Sequence, residues 1–362
     1  MANIIAFTKY TSKAPSSRYR TFQYINFWKD AGYIIEVQAL FNENYIKNLY
    51  SNQRINYWSI IYSYFKRVVK VLFLKNKRQI LYIEYELLPY LPEFLERYLK
   101  WRGFKFILDY DDAIFHFYDI NSNFLIKYLF KNKIPSISKI ADHIITGSPY
   151  LTNYFLKFQN LITEIPTSII FNKYKVSNKS IYQNDFIIGW IGTNSTSHNI
   201  KIILKPLRQF FEKNSGVIHL VGFDKNLEFL LYGLPYKIID WTEENELNEI
   251  EKFSVGIMPL NNSLFNNGKC GFKLIQYMAC EKPTISTPLE ANIKINKTGK
   301  NLFATNDTEW LDSFTKVYTN RNLFNQIGID NKLVIMKYYS VENNYTEYIK
   351  IFDTVLKKQR IS

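Results

Sequence analysis

Twice along these 362 residues, short apolar runs alternate with stretches of helical periodicity, which restricts the chain to a layered α/β architecture. In the first half the runs fall at 3–8, 34–38, 80–84, 104–109 and 143–146. Helical patterns fill the gaps, including a mixed aromatic and basic one over 18–31 that Gly32 closes. Crossovers of this kind build a parallel sheet. The alternation restarts at 186–191 and continues at 217–221, 236–239, 254–258 and 284–286; beyond Asp307 only helical patterns remain. Between the halves the chain lapses into Pro, Ser, Asn and Lys, the composition of a linker. The pattern predicts two Rossmann-like domains, 1–168 and 185–338, joined by a linker at about 166–184 and followed by a helical C-terminus, 339–362.

Composition narrows the class. Hydrophobic residues make up 47% and charged residues 22%, as in a globular protein, and no apolar run approaches the roughly 20 residues of a membrane span. The opening MANIIAFTKY carries a strand-like run and not the longer apolar core of a signal peptide, so a cytoplasmic location is expected. Cys270 and Cys280 have no metal-ligand spacing and read as free thiols. The net charge of +14, from 46 Lys+Arg against 32 Asp+Glu, points to a polyanionic partner: nucleic acid, an anionic membrane surface or phosphorylated substrates. The abundance of Lys, Asn, Ile, Tyr and Phe, residues of AT-rich codons, explains the same excess equally well.

The run GKCGFKLIQYMAC, 268–280, carries the strongest chemical signal. It places Lys269 and Lys273 where a Gly-containing loop enters an amphipathic helix, just after the buried run VGIMPL, 255–260. A helix start offers unpaired N–H groups and partial positive charge, so two ammonium groups there make an anion site, with phosphate the obvious ligand. In IIGWIGTNSTS, 187–197, Gly192 permits a tight turn while Thr193, Asn194 and Ser195 can donate to phosphate or cap the helix. Capping alone accounts for that segment; beside Lys269 and Lys273 a shared diphosphate site becomes the better reading.

Three further segments could carry chemistry. DYDDAIF, 109–115, offers three carboxylates for a metal, a base or hydroxyl binding, and Asp112 is best read as a helix N-cap. Asp109 and Asp111 also match the short Asp-x-Asp pattern of metal-dependent sugar transferases. His116 is the histidine nearest this chemistry. In PSSRYR, 15–20, Arg18 and Arg20 suit bidentate contact with phosphate or carboxylate, and a solvated helix explains them as well. Over 57–78, Trp58, Ile61, Phe65, Val68 and Leu72 follow helical spacing with Lys66, Arg67 and Lys70 interleaved. Such a helix lies on an anionic membrane or packs into a core, and the core reading leads.

Taken in order, PSSRYR, DYDDAIF, TGSPYL (146–151), EIPTS (164–168), GWIGTNS, VGIMPL, GKCGFKLIQYMA, KTGKNLF (297–303) and YYSVENN (338–344) resemble glycosyltransferase family 4 and related GT-B enzymes of bacterial cell-surface polysaccharide synthesis. The likeness spans nearly the whole chain. It implies two Rossmann-like domains facing a cleft, with the last helix crossing back to the first. It also implies a UDP- or GDP-sugar donor on the second domain and a saccharide or lipid-linked saccharide acceptor on the first, near Arg18 and Arg20. Transfer would be retaining, with no metal, no tightly bound cofactor and no nucleic acid, on a protein peripheral to the inner membrane face.

By position, the resemblance assigns Lys269 and Lys273 to the diphosphate, Gly192, Thr193 and Asn194 to the facing loop, and Gln276 to the ribose. Asp111, Asp112 and His116 fall to the reacting centre. Two glutamates common in the family are replaced here by Gly268 and Gln276, and a common histidine by Asp111. A non-catalytic nucleotide-sugar or polyanion binder, and a metal-dependent transferase using Asp109 and Asp111, stay open.

Overall fold

The computed structural model describes residues 2–50, 54, 56–174 and 185–361, and the chain divides into two compact units. One comprises Met1–Ser168, Gly268–Cys270 and Val341–Ser362; the other comprises Ile169–Asn267 and Gly271–Ser340. The 175–184 part of the predicted linker lies outside the described residues.

The first unit is built on six parallel strands: β1 (Ala2–Thr8), β2 (Tyr33–Ala39), β3 (Ile80–Glu84), β4 (Lys105–Tyr110), β5 (His143–Thr146) and β6 (Ile162–Glu164). Their order is β2-β1-β3-β4-β5-β6. All five residues of β3 are buried, as expected of a central strand covered on both faces. Phe7, Leu81, Ile83, Phe106 and Leu108 from the sheet form one core with Val71, Leu95 and Ile134 from the helices.

The helix expected over 18–31 is broken into Pro15–Arg20, a 3-10 turn Phe22–Tyr24 and Ile25–Asp30. The break falls at Thr21, whose hydroxyl leaves the helix to donate to the Glu84 carboxylate. Ser17 donates to the same carboxylate at 2.6 Å and the Lys9 N–H at 3.1 Å. Burial pushes Glu84 up to about 7 against these bonds, which pin the first helix to the end of β3.

The C-terminal helix Val341–Ile361 belongs to this first unit, as the resemblance implies. Tyr348 and Phe352 each pack 5.3 Å from the buried Trp28 ring, and the Tyr33 hydroxyl donates to Asp353 at 2.6 Å.

The second unit holds β7 (Ile187–Ile191), β8 (Val217–Val221), β9 (Tyr236–Ile239), β10 (Val255–Met258), β11 (Thr284–Ser286) and β12 (Leu302–Phe303). All are parallel, in the order β12-β11-β10-β7-β8-β9. Ile188, Ile218, Ile257 and Phe314 share one core cluster; Ile187, Val221, Ile275 and Tyr277 share the other. The strand order reverses between β7 and β10, and open sheets of this kind bind ligands at the carboxyl edge of such a reversal. Among the described residues no helix is long and apolar enough to cross a membrane.

Candidate functional site

The reversal between β7 and β10 gathers the strongest candidates in the second unit. Gly192 follows β7 directly. A Cβ there would lie 2.2 Å from the Trp190 ring and 2.8 Å from Thr196 Oγ1, so only glycine lets the loop run this close to the indole. Thr193 caps the 3-10 helix Asn194–Ile203 through a reciprocal pair with Thr196, and its N–H donates to Thr196 Oγ1 at 3.1 Å. Capping is therefore what Thr193 does within the protein, while Asn194 stands exposed at the first position of that helix.

The helix Phe272–Ala279 begins at Gly271, whose φ of +66° is left-handed, and no side chain caps it. Lys273 is its second residue. The ammonium sits 4.5 Å from the centroid of the Trp190 ring and 3.5 Å from Thr196 Oγ1. One cation is thus held against an aromatic face, beside a glycine loop and next to a helix start. That combination suits an anion with several oxygens.

Gln276 is buried, and its amide donates to the Glu246 carboxylate. The other Glu246 oxygen accepts the Trp241 indole N–H at 2.6 Å. Position 276, where the resemblance expects a glutamate, therefore holds an amide that is bonded to a carboxylate on the helix Glu246–Glu251. Sequence reasoning passed over Glu246, since nothing distinguishes it within the acidic run WTEENE. A cavity of about 450 Å³ opens at the carboxyl ends of β10 and β11, lined by Leu260, Asn261, Thr287, Pro288 and Glu290 among others. Its amide and hydroxyl lining suits a hydroxyl-rich ligand.

The first unit gathers a second set. Lys269 belongs here: its ammonium pairs with both Asp112 oxygens, at 2.9 and 3.0 Å. Burial lowers the Lys269 pKa, but Asp112 and then Asp111 outweigh it, so the net direction is upward. Asp112 is not the expected N-cap. The helix His116–Asp119 starts from Phe115 with no side-chain cap, three residues beyond Asp112, whose carboxylate is paired with Lys269. Tyr85 donates its hydroxyl to Asp111, and Cys270 Sγ donates to the Asp111 carbonyl at 2.7 Å. Burial, and next the charge of Asp112, push Asp111 up to about 6. Gly268 has no room for a side chain: a Cβ would lie 2.5 Å from Ala113 Cβ and 3.0 Å from Ala113 N.

Burial bears on three of the expected residues: Arg20, Asp109 and His116. Arg20 is 2% exposed and forks onto Asp109, with Nη2 2.6 Å and Nε 3.0 Å from Oδ1; its Nη1 donates to the Ile165 carbonyl at 2.7 Å. Its guanidinium is a structural clamp and is not available to an acceptor. Asp109 is equally committed, since it also accepts from Tyr82 and, at 3.4 Å, from Tyr348. The Asp-x-Asp metal reading thereby loses its first ligand, and no group of three metal-ligating side chains occurs among the described residues. His116 is buried with both ring nitrogens engaged, Nδ1 to Asp119 and Nε2 to the Tyr150 hydroxyl, each at 2.8 Å. Within the protein it therefore bridges Asp119 and Tyr150. Arg18 is half-buried over the Tyr19 ring, at 4.9 Å.

No protein-family model matches the sequence, and no curated protein matches it either. Solved structures match it in fold over almost its full length. A glycosyltransferase from Rickettsia africae aligns with a TM-score of 0.70 at 11% identity, covering 98% of this chain and 99% of that one. HepE of Anabaena in complex with UDP aligns at 0.72 and 10% identity, covering 98% and 100%. A trehalose 6-phosphate synthase from Burkholderia multivorans aligns at 0.67 and 8% identity, covering 99% and 100%. Identities this low carry the fold alone: the two parallel six-stranded units are those of the two-domain GT-B fold.

Proposed function

We propose that this chain is a glycosyltransferase that moves a sugar from a UDP- or GDP-sugar to an acceptor hydroxyl, with retention and without a divalent metal, in the synthesis of a surface polysaccharide or glycolipid. The observation that carries the reading is Lys273, held by Trp190 and Thr196 beside the Gly192 loop at the β7/β10 reversal. Solved complexes of HepE with UDP and with UDP-glucose favour UDP as the nucleotide. TarM of S. aureus, solved with UDP and saccharide ligands, supports a saccharide acceptor.

In this reaction the acceptor oxygen bonds to the anomeric carbon as the bond from that carbon to the phosphate oxygen breaks. Negative charge grows on the departing diphosphate, where the Lys273 ammonium and the start of helix Phe272–Ala279 stabilise it. Asp111 receives the acceptor hydroxyl proton, and Tyr85 fixes its orientation. Lys269 pairs with Asp112, which leaves this role to Asp111.

Release of nucleotide from a panel of UDP- and GDP-sugars, with membrane lipid extract and with or without EDTA, tests the reading. EDTA-resistant release of one nucleotide is expected. The rate should fall as pH drops through about 6, because Asp111 is then protonated and cannot accept the proton. EDTA-sensitive release would move the chemistry to a metal, and saturable UDP binding without release would make the chain a binder.

Glu246 supplies the ribose carboxylate that residue 276 lacks, with Gln276 orienting it. Glu246→Gln should raise KM for the donor by about tenfold with kcat nearly unchanged, the loss of one hydrogen bond to a charged group. An unchanged KM would remove Glu246 from the donor site.

A further inference from the structure

We infer that the first unit carries a docking surface for an anionic lipid bilayer, built from two helices and the loop between them. The inference stands on this surface alone, whichever reaction the chain catalyses. Of the apolar stripe of helix Tyr57–Leu72, Val68 lies against the core, and the rest faces away from it. Trp58 is 78% exposed, Ile61 56% and Phe65 64%, with Tyr62, Leu72 and Phe73 on the same face at helical spacing. The opposite face does the packing: Val71 and Arg67 are fully buried, and Arg67 donates to the Thr8 and Gln38 carbonyls at 2.7 Å. The helix therefore has an apolar side directed at solvent after its core contacts are complete.

A second helix, Phe124–Phe130, repeats the arrangement. Phe130 is buried in the core, while Phe124, Leu125, Tyr128 and Leu129 are 63–73% exposed. The loop after β3 joins the two. Tyr64 of the first helix donates to the Pro89 carbonyl at 2.9 Å, and the neighbouring Tyr90 packs edge-on against Tyr118 at 5.4 Å. Tyr118 in turn packs 5.9 Å from Phe130. Tyr90 and Leu91 are themselves exposed, so the apolar surface runs from helix to helix.

Charge selects the occupant. No Asp or Glu occurs between Arg54 and Arg78, nor between Ile120 and Ala141. Lys66, Lys75, Lys77, Arg78, Lys127 and Lys131 are all exposed within those segments. Aromatic rings flanked by cations, with no acid on either helix, match the interface of a bilayer containing acidic phospholipids: the rings enter the headgroup boundary while the lysines meet the phosphates. A second copy of this chain would bring like charge against like.

The full chain should float with phosphatidylcholine vesicles containing phosphatidylglycerol, less so with phosphatidylcholine alone, and less again at high salt, where the attraction is screened. The double variant W58A/F65A should lose binding by about tenfold or more, since each ring contributes its own apolar burial. F124S/Y128S should act likewise on the second helix. Both pairs are exposed, so thermal melts should match the parent. Equal binding to neutral and anionic vesicles, or variants that bind like the parent, would overturn the inference. So would a dimer in light scattering that W58A/F65A dissociates, which would give the surface to a second copy.

Discussion

Replacing Arg20 by alanine will lower the stability of the first unit by about 3–5 kcal/mol, the cost of leaving a buried charge without its partner. Arg20 and Asp109 are both 2% exposed, and the guanidinium grips the carboxylate by its fork. The pair also ties elements together. It links helix Pro15–Arg20 to β4, to the Ile165 carbonyl after β6 and, through Tyr348, to the C-terminal helix. In the alanine variant Asp109 keeps the Tyr82 and Tyr348 hydroxyls but no cation. Urea unfolding followed by the buried Trp28, which packs against Tyr348, measures the loss directly. Arg20→Met combined with Asp109→Leu should recover much of it, because removing both charges also removes their desolvation cost. A single-variant loss below about 1 kcal/mol would make the pair no stronger than a surface ion pair.

Lys273→Ala will reduce turnover at saturating donor by about 10²–10³-fold, or roughly 2.7–4 kcal/mol of transition-state stabilisation, as when a preorganised charge donor is removed. The ammonium is positioned before any ligand arrives, by the Trp190 face at 4.5 Å, so it costs little reorganisation during reaction. Stability should change little, since the lysine is partly exposed. Lys273→Arg should retain part of the rate, because a guanidinium can also stack on Trp190. Turnover within a few-fold of the parent for the alanine variant would dismiss the diphosphate role.

Much of the fold is legible in local pattern. The runs at 80–84, 143–146, 217–221, 236–239 and 284–286 coincide with β3, β5, β8, β9 and β11, because each is a short β-prone run set off by breaks in the pattern. β6 and β12 escape notice. With three and two residues, they are strands only because a neighbour supplies their hydrogen bonds. Lys273 and Gly192 could be singled out because a lysine at a helix start and a glycine after a strand carry chemistry in a few residues.

The charged residues show where that legibility ends. Arg18 and Arg20 look alike in PSSRYR, yet Arg20 is sealed onto a carboxylate 89 residues away while Arg18 lies half-buried over the Tyr19 ring. Lys269 and Lys273 look like a pair, yet Lys269 answers to Asp112, 157 residues distant, and Lys273 to Trp190. Helix 57–72 is apolar on two sides, and its spacing does not reveal which side meets the core. Local pattern is enough to mark the elements, their alternation into two parallel sheets and the helix start that carries Lys273, because periodicity and helix starts act over a few residues. Which charges pair, which carboxylate stands beside Gln276 and which helix face stays wet are not legible there, because burial and ion pairing are set by neighbours far away in the chain.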